Sequence, residues 1–154
     1  MRKETVITGI LWLISIMWMG VCLFLSWQKG DDTVGLSGTI AVAVKRVIYI
    51  FGIEIDLNIL HLWLRKAAHV LVFFVAGILF YCSFWRSMPD GNHRGMYSFL
   101  VSVLLCSIFA VIAEVGKLWI PGRHLQWSET LLNVIGIVCG AGVAGLIHLA
   151  RYHT

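Results

Sequence analysis

The stretch EVGKLWIPGRHLQWSETLLN, residues 114–133, lies between two long apolar runs and carries Glu114, Lys117, Arg123, His124 and Glu129. Its reading decides the fold. If the flanking runs are membrane-spanning helices, the stretch is a helix end, a turn and a helix start, and its charges stand where charge is costly. The residues Ile-Pro-Gly-Arg supply the turn, since Pro121 fixes φ and Gly122 permits a positive φ at the next position. Glu114 precedes Pro121 by about 10 Å of helix rise, at ~1.5 Å per residue, so it is expected beneath the membrane interface. After the turn, Ser128 is the expected N-cap, and Glu129 falls in the first helical turn, where negative charge suits the helix dipole.

Composition supports that reading. The chain has 154 residues, 59% hydrophobic and 13% charged, whereas globular proteins carry about 25% charged residues. The apolar residues are gathered into blocks, as in an integral membrane protein. Four blocks reach the about 20 residues that cross roughly 30 Å of hydrocarbon: Val6–Trp27, Ala67–Trp85, Tyr97–Ile120 and Thr130–Ala150. The first follows Arg2 and Lys3, as a signal peptide would, but its apolar run is too long and no small-residue cleavage site follows. It reads as a retained span.

The expected fold is therefore an all-α integral membrane protein, one domain over residues 1–154 with four transmembrane helices. Between the first two spans, Leu36, Ile40, Val44, Val47 and Phe51 recur at helical spacing while Lys45, Arg46, Glu54 and Asp56 interrupt the apolar run. This predicts an interfacial or re-entrant helix, or a packing helix that caps the bundle. Trp27, Trp63, Trp85, Tyr97, Trp119, Trp127 and Tyr152 fall near the span ends, as aromatic belts do. In the last span Gly136, Gly140 and Ala144 are four apart, which lets helix backbones approach closely.

The net charge of +4 comes largely from basic residues at the block edges, so no nucleic-acid partner is expected. Cys22, Cys82, Cys106 and Cys139 each lie in a different apolar block and form no CxxC pair, which argues against a disulfide framework. His61, His93, His124, His148 and His153 are scattered, and no HExxH or Cys/His cluster is present, so neither a metal nor a cofactor is expected. There is no GxSxG element and no glycine-rich phosphate loop.

Four antiparallel spans bring three charged groups to one membrane face. The first is Arg65, Lys66 and His69, where Lys66 and His69 are three apart on one helix face. The second is Glu114 and Lys117, also three apart. The third is Glu129 and Asn133, which share a face with Gly136 and Gly140 and so are expected to point into the bundle, with Arg123 held over both helix ends by the turn. Intramembrane charges pair with one another and mark functional sites by default. The alternative is a structural ion-pair network, Glu114 with Lys66 or Arg123, that fixes helix register.

The order RKAAHVLVFFVAGILFY, then AEVGKLWIPGRHLQWSETLLNVIGIVCG, resembles the VanZ-like family of small bacterial membrane proteins. FLSWQKGDDTVGLS also looks like that family's polar segment after the first span. Lys66, His69, Glu114, Pro121, Gly122, Arg123, Glu129 and Asn133 stand at matching positions. The sequence departs from the family pattern at Ala113, where an acid is usual, at Lys117, where glutamine is usual, and at Glu129, where the shorter acid is usual. The changes at Ala113 and Lys117, one fewer acid and one extra cation, make the cluster more positive. The resemblance implies a cell-envelope role linked to resistance to teicoplanin, a glycopeptide whose target lies outside the cell membrane. It implies an outward-facing site and cytoplasmic termini, as does Arg2–Lys3 at the first span. A Lys/Arg count over the two sides, five against seven, leans the other way.

The functional expectation is an outer-leaflet site for an anionic lipid or a lipid-linked cell-wall intermediate. Lys66, Lys117 and Arg123 would hold phosphate or carboxylate oxygens; Glu114 and His69 would orient the cations, or serve as acid and base. A hydrolase or transferase lacks an evident nucleophile, Ser128 and Thr130 being the nearest hydroxyls. A non-catalytic adaptor with a structural charge cluster is the alternative, and a transporter a third.

Overall fold

The computed structural model describes residues 2–27, 42–46, 49–50, 54–91 and 93–152. Four long helices dominate: α1 (Arg2–Trp27), α2 (Leu57–Ser87), α3 (Arg94–Gly116) and α4 (Trp127–Tyr152), with a short 3₁₀ turn, Lys117–Trp119, closing α3. Each is long and apolar enough to cross a membrane, over Lys3–Trp27, Leu57–Ser87, Arg94–Trp119 and Trp127–Arg151. No strand occurs among the described residues. Most of the expected interfacial or re-entrant helix lies outside the described residues, which include only short helical pieces at 42–46 and 49–50.

Helix α2 begins ten residues before the expected Ala67. Asp56 starts it: its backbone is extended, and its carboxylate accepts the Asn58 N–H at 3.0 Å, an N-cap that satisfies one otherwise orphaned donor. Arg65 and Lys66 therefore stand on the flank of a helix already under way. At ~1.5 Å per residue the helix is about 46 Å long, more than the hydrocarbon thickness, and His69 lies about three turns inside it. Helix α4 also begins early. The Gln126 carbonyl accepts the N–H groups of Glu129 at 2.9 Å and Thr130 at 3.4 Å, so Gln126 and not Ser128 occupies the cap position.

The bundle is drawn together by glycines at the α2–α4 interface. A Cβ at Gly136 would collide with the Val70 carbonyl, one at Gly140 with the Phe74 carbonyl, and one at Gly77 with the Ile137 carbonyl. Backbones this close gain dispersion contact that lipid tails cannot outbid. Around the interface an apolar core takes residues from every helix: Met19 and Cys22, Phe73 and Phe80, Cys106 and Ala110, and Ile137. Helix α1 is held by aromatic and polar contacts together. Trp12 meets Phe84 edge-on with ring centroids 5.0 Å apart and donates to Ser87 Oγ at 2.9 Å, while Trp18 donates to the Val72 carbonyl at 2.9 Å. The four cysteines are free thiols.

At one end of the bundle Glu4 pairs with Arg86 at 2.5 Å, and Arg94 pairs with Asp90. Trp85 is more than a belt residue: the Arg94 guanidinium lies 4.9 Å from its ring, and His148 packs against it at 4.7 Å. The opposite end gathers the first turns of α2 and α4 with the close of α3.

A candidate charged site at one end of the bundle

Two helix ends, the turn between them and the flank of α2 build this site. Where α3 closes, the Lys117 N–H turns to the Glu114 and Val115 carbonyls, and the Ile120 N–H returns to Lys117 at 3.0 Å. A 3₁₀ turn has 3.0 residues per turn, so side chains three apart eclipse. Lys117 consequently runs alongside Glu114 and points inward, while Leu118 and Trp119 point out. The chain then reverses through Ile120–Arg123, where the Arg123 N–H donates to the Ile120 carbonyl at 3.2 Å. Gly122 takes φ +78°, the left-handed value that a proline-glycine turn of this type requires.

The charges meet in the interior. Lys117 Nζ lies 2.6 Å from Glu114 Oε2 and 2.6 Å from Glu129 Oε2. The other Glu114 oxygen accepts the Gln126 N–H at 2.8 Å, which ties the acid to the cap of α4. Glu129 Oε1 receives Arg65 at 2.6 Å, and His69 Nε2 stands 3.3 Å from Glu129 Oε2. The other ring nitrogen of His69 is 3.0 Å from Asn133 Oδ1. Glu114 and Lys117 are each 1% exposed, Asn133 2% and Glu129 5%. Charges so buried persist only when paired and hydrogen-bonded, and these are.

Arg123 belongs to the same electrostatic neighbourhood. Partial burial and the nearby charge of Arg65 pull its pKa below the ordinary arginine value, while Glu129 and Glu114 act in the opposite sense. Three basic side chains, Arg65, Lys117 and Arg123, thus gather about two carboxylates. Lys117 is the innermost of the three; Arg65 keeps 39% of its side chain exposed and Arg123 is half-buried.

Of the residues singled out from sequence, His69, Glu114, Lys117, Glu129 and Asn133 are in direct contact, and Arg123 is near. Lys66 is not. It is exposed, with its ammonium 5.9 Å from the Trp63 ring. Arg65 takes the place expected for Lys66, because Arg65 and His69 are four apart on one stripe of α2 while Lys66 is turned about 100° away. Sequence reasoning placed Arg65 in the charged group without giving it a binding role, and it passed over Gln126. The i, i+4 relation to His69 was the available signal for Arg65; for Gln126, whose backbone N–H is what matters, there was none. Of the two hydroxyls considered as nucleophiles, Ser128 is exposed in the first turn of α4, and Thr130 Oγ1 is buried without a hydrogen-bond partner. The described residues contain no group of three His, Cys, Asp or Glu side chains placed to hold a metal ion.

Four spanning-length helices with an interlocked charge cluster at one end have the form of a multi-pass membrane protein. The family model VanZ/LLP1 matches residues 11–148, and the chain belongs to that family. No curated protein and no solved structure matches it.

Proposed function

We propose that this protein binds the anionic head group of a lipid, or of a lipid-linked cell-envelope intermediate, at the rim of its charged end. The observation that carries the reading is the placement of Arg65 and Arg123. Two guanidiniums stand near each other on the accessible side of a buried, charge-paired floor. The guanidinium fork suits two-point contact with phosphate or carboxylate oxygens beside the acids that already face these arginines.

The depth of the site fits a lipid. Trp63, Trp119 and Trp127 rim this end on three different elements, 67%, 79% and 63% exposed. Exposed indoles favour the head-group level of a bilayer. Arg65 lies two residues beyond Trp63 and Glu129 two beyond Trp127, about 3 Å deeper along each helix, just inside the ring of indoles. Arg2 and Lys3 at the start of α1 favour cytoplasmic termini, which turns this end outward in the cell membrane. A cell-envelope role follows, with tolerance of teicoplanin-type glycopeptides as the phenotype to measure.

The test uses purified protein in nanodiscs and native mass spectrometry with phosphatidic acid and a polyprenyl phosphate. Arg65→Ala and Arg123→Ala are expected to bind roughly tenfold or more weakly, the weight of a charge-assisted hydrogen bond, and Lys66→Ala to bind as wild type. Equal binding by all four proteins would end the proposal. A second reading rests on a specific observation: Lys117, Glu114 and Glu129 close on one another and leave the buried floor satisfied without a ligand. On that reading the cluster locks the helices, and the arginine variants lose thermal stability in proportion to any loss of binding.

A further inference from the structure

Helix α1 has no basic residue in its last turn, yet that turn grips the segment carrying Lys117. In a continuing α-helix the Lys117 N–H would bond the Ala113 carbonyl, four residues back. Here it turns to Glu114 and Val115, and the Ala113 carbonyl receives side chains from α1. The Trp27 indole Nε1 donates to the Ala113 oxygen at 3.0 Å, and Ser26 Oγ adds a longer bond at 3.4 Å. The ring lies flush on Gly116, where a Cβ would come within 2.6 Å of ring atoms. A side chain at position 116 would push the indole away.

These contacts have a directional consequence. The change from α to 3₁₀ geometry is what aligns Lys117 with Glu114 and sends its ammonium to Glu129. A return to regular α-helix would bring the Lys117 N–H onto the Ala113 carbonyl, where it would share the oxygen with the indole and the Ser26 hydroxyl. We infer that Trp27 is a positioning residue for the charged site: from outside the cluster, it holds α3 in the tightened turn that keeps Lys117 inside and leaves Arg65 and Arg123 as the anion-facing groups. The last clause rests on the anion-binding reading; the latch itself does not.

The experiment compares wild type with Trp27→Phe, and with Trp27 replaced by 3-benzothienylalanine, which keeps the bicyclic shape and lacks the N–H donor. Two quantities are read in nanodiscs: acetylation of Lys117 by an amine-reactive ester, resolved by peptide mass spectrometry, and phosphatidic acid binding. In wild type Lys117 is protected by its 1% exposure. Both replacements are expected to raise Lys117 acetylation roughly threefold to tenfold, the weight of one hydrogen bond, and to weaken lipid binding by a similar factor. Acetylation of exposed Lys66 should not change. Should the phenylalanine variant fail to fold, the isosteric replacement carries the test. Wild-type acetylation in the benzothienyl protein overturns the latch. If acetylation rises but Arg65→Ala and Arg123→Ala bind lipid normally, the latch stands and the anion-site reading fails.

Discussion

Arg65 and Glu129 meet at 2.6 Å across the α2–α4 interface, about two turns from the point where Gly136 rests against the Val70 carbonyl. The ion pair and the glycine contact are one construction. Side chains reaching from two helices need the backbones at a fixed separation, and the glycines set it. The charged end thus depends on residues that carry no charge.

Gly140→Ala should therefore cost far more than Gly142→Ala. The first Cβ would strike the Phe74 backbone, whereas nothing lies within 4 Å of the second. Overpacking of this kind costs about 1–3 kcal/mol, while an unobstructed alanine gains up to about 1 kcal/mol of helix propensity. Thermal unfolding of both variants in one detergent measures the difference, and equal melting temperatures would contradict the packing.

Lys117→Met removes the cation that Glu114 and Glu129 share. Breaking a buried pair from one side costs about 3–5 kcal/mol, because a charge is left behind uncompensated. Glu129 keeps Arg65 and stays close to His69, so Glu114 is the acid left without its cation. Adding Glu114→Gln to Lys117→Met is expected to recover a substantial part of the lost stability. A double variant less stable than the single one would show that the carboxylate has another cationic partner.

At Gly122 the cost is purely conformational. The backbone has φ +78° and a Cβ would touch nothing within 4 Å. Gly122→Ala should lose about 1–2 kcal/mol, the penalty of a left-handed residue, and Gly122→Asn clearly less, since asparagine tolerates that region. Equal losses would argue that the turn is held by its neighbours.

Thr130 offers an inverse case. Its hydroxyl is buried and unpartnered, so Thr130→Val removes a desolvated polar group worth about 1–3 kcal/mol when unsatisfied. The variant is expected to melt at or above the wild-type temperature and to bind lipid normally. Loss of lipid binding without loss of stability would give the hydroxyl a functional part.

Much of this architecture could be read from residue order. Apolar blocks long enough to span a bilayer, the Pro121–Gly122 turn and the shared face of Glu129, Asn133 and Gly136 all follow from local chemistry and helical period. The boundaries did not. Charged Arg65 and Lys66 suggested that the second helix starts after them, but the Asp56 cap starts it earlier, and Arg65 on its flank is the residue that meets Glu129. Trp27 reads in sequence as one more interfacial aromatic. Its bond to the Ala113 carbonyl spans 86 positions. Long-range events of this kind leave no local mark in a sequence.

The residues one turn deeper than the charges have their own consequence. Phe73 follows His69 by four positions, Ile137 follows Asn133 by four, and Ala110 precedes Glu114 by four, and these three belong to the apolar core along with Cys22 and Phe80. The polar end is a cul-de-sac floored with hydrocarbon and closed by aromatic and aliphatic side chains. Whatever reaches Arg65 and Glu129 must leave by the face through which it arrived. Packed this way, the described residues of a single chain offer no polar path across the bundle, and liposomes holding it should stay tight to protons and ions.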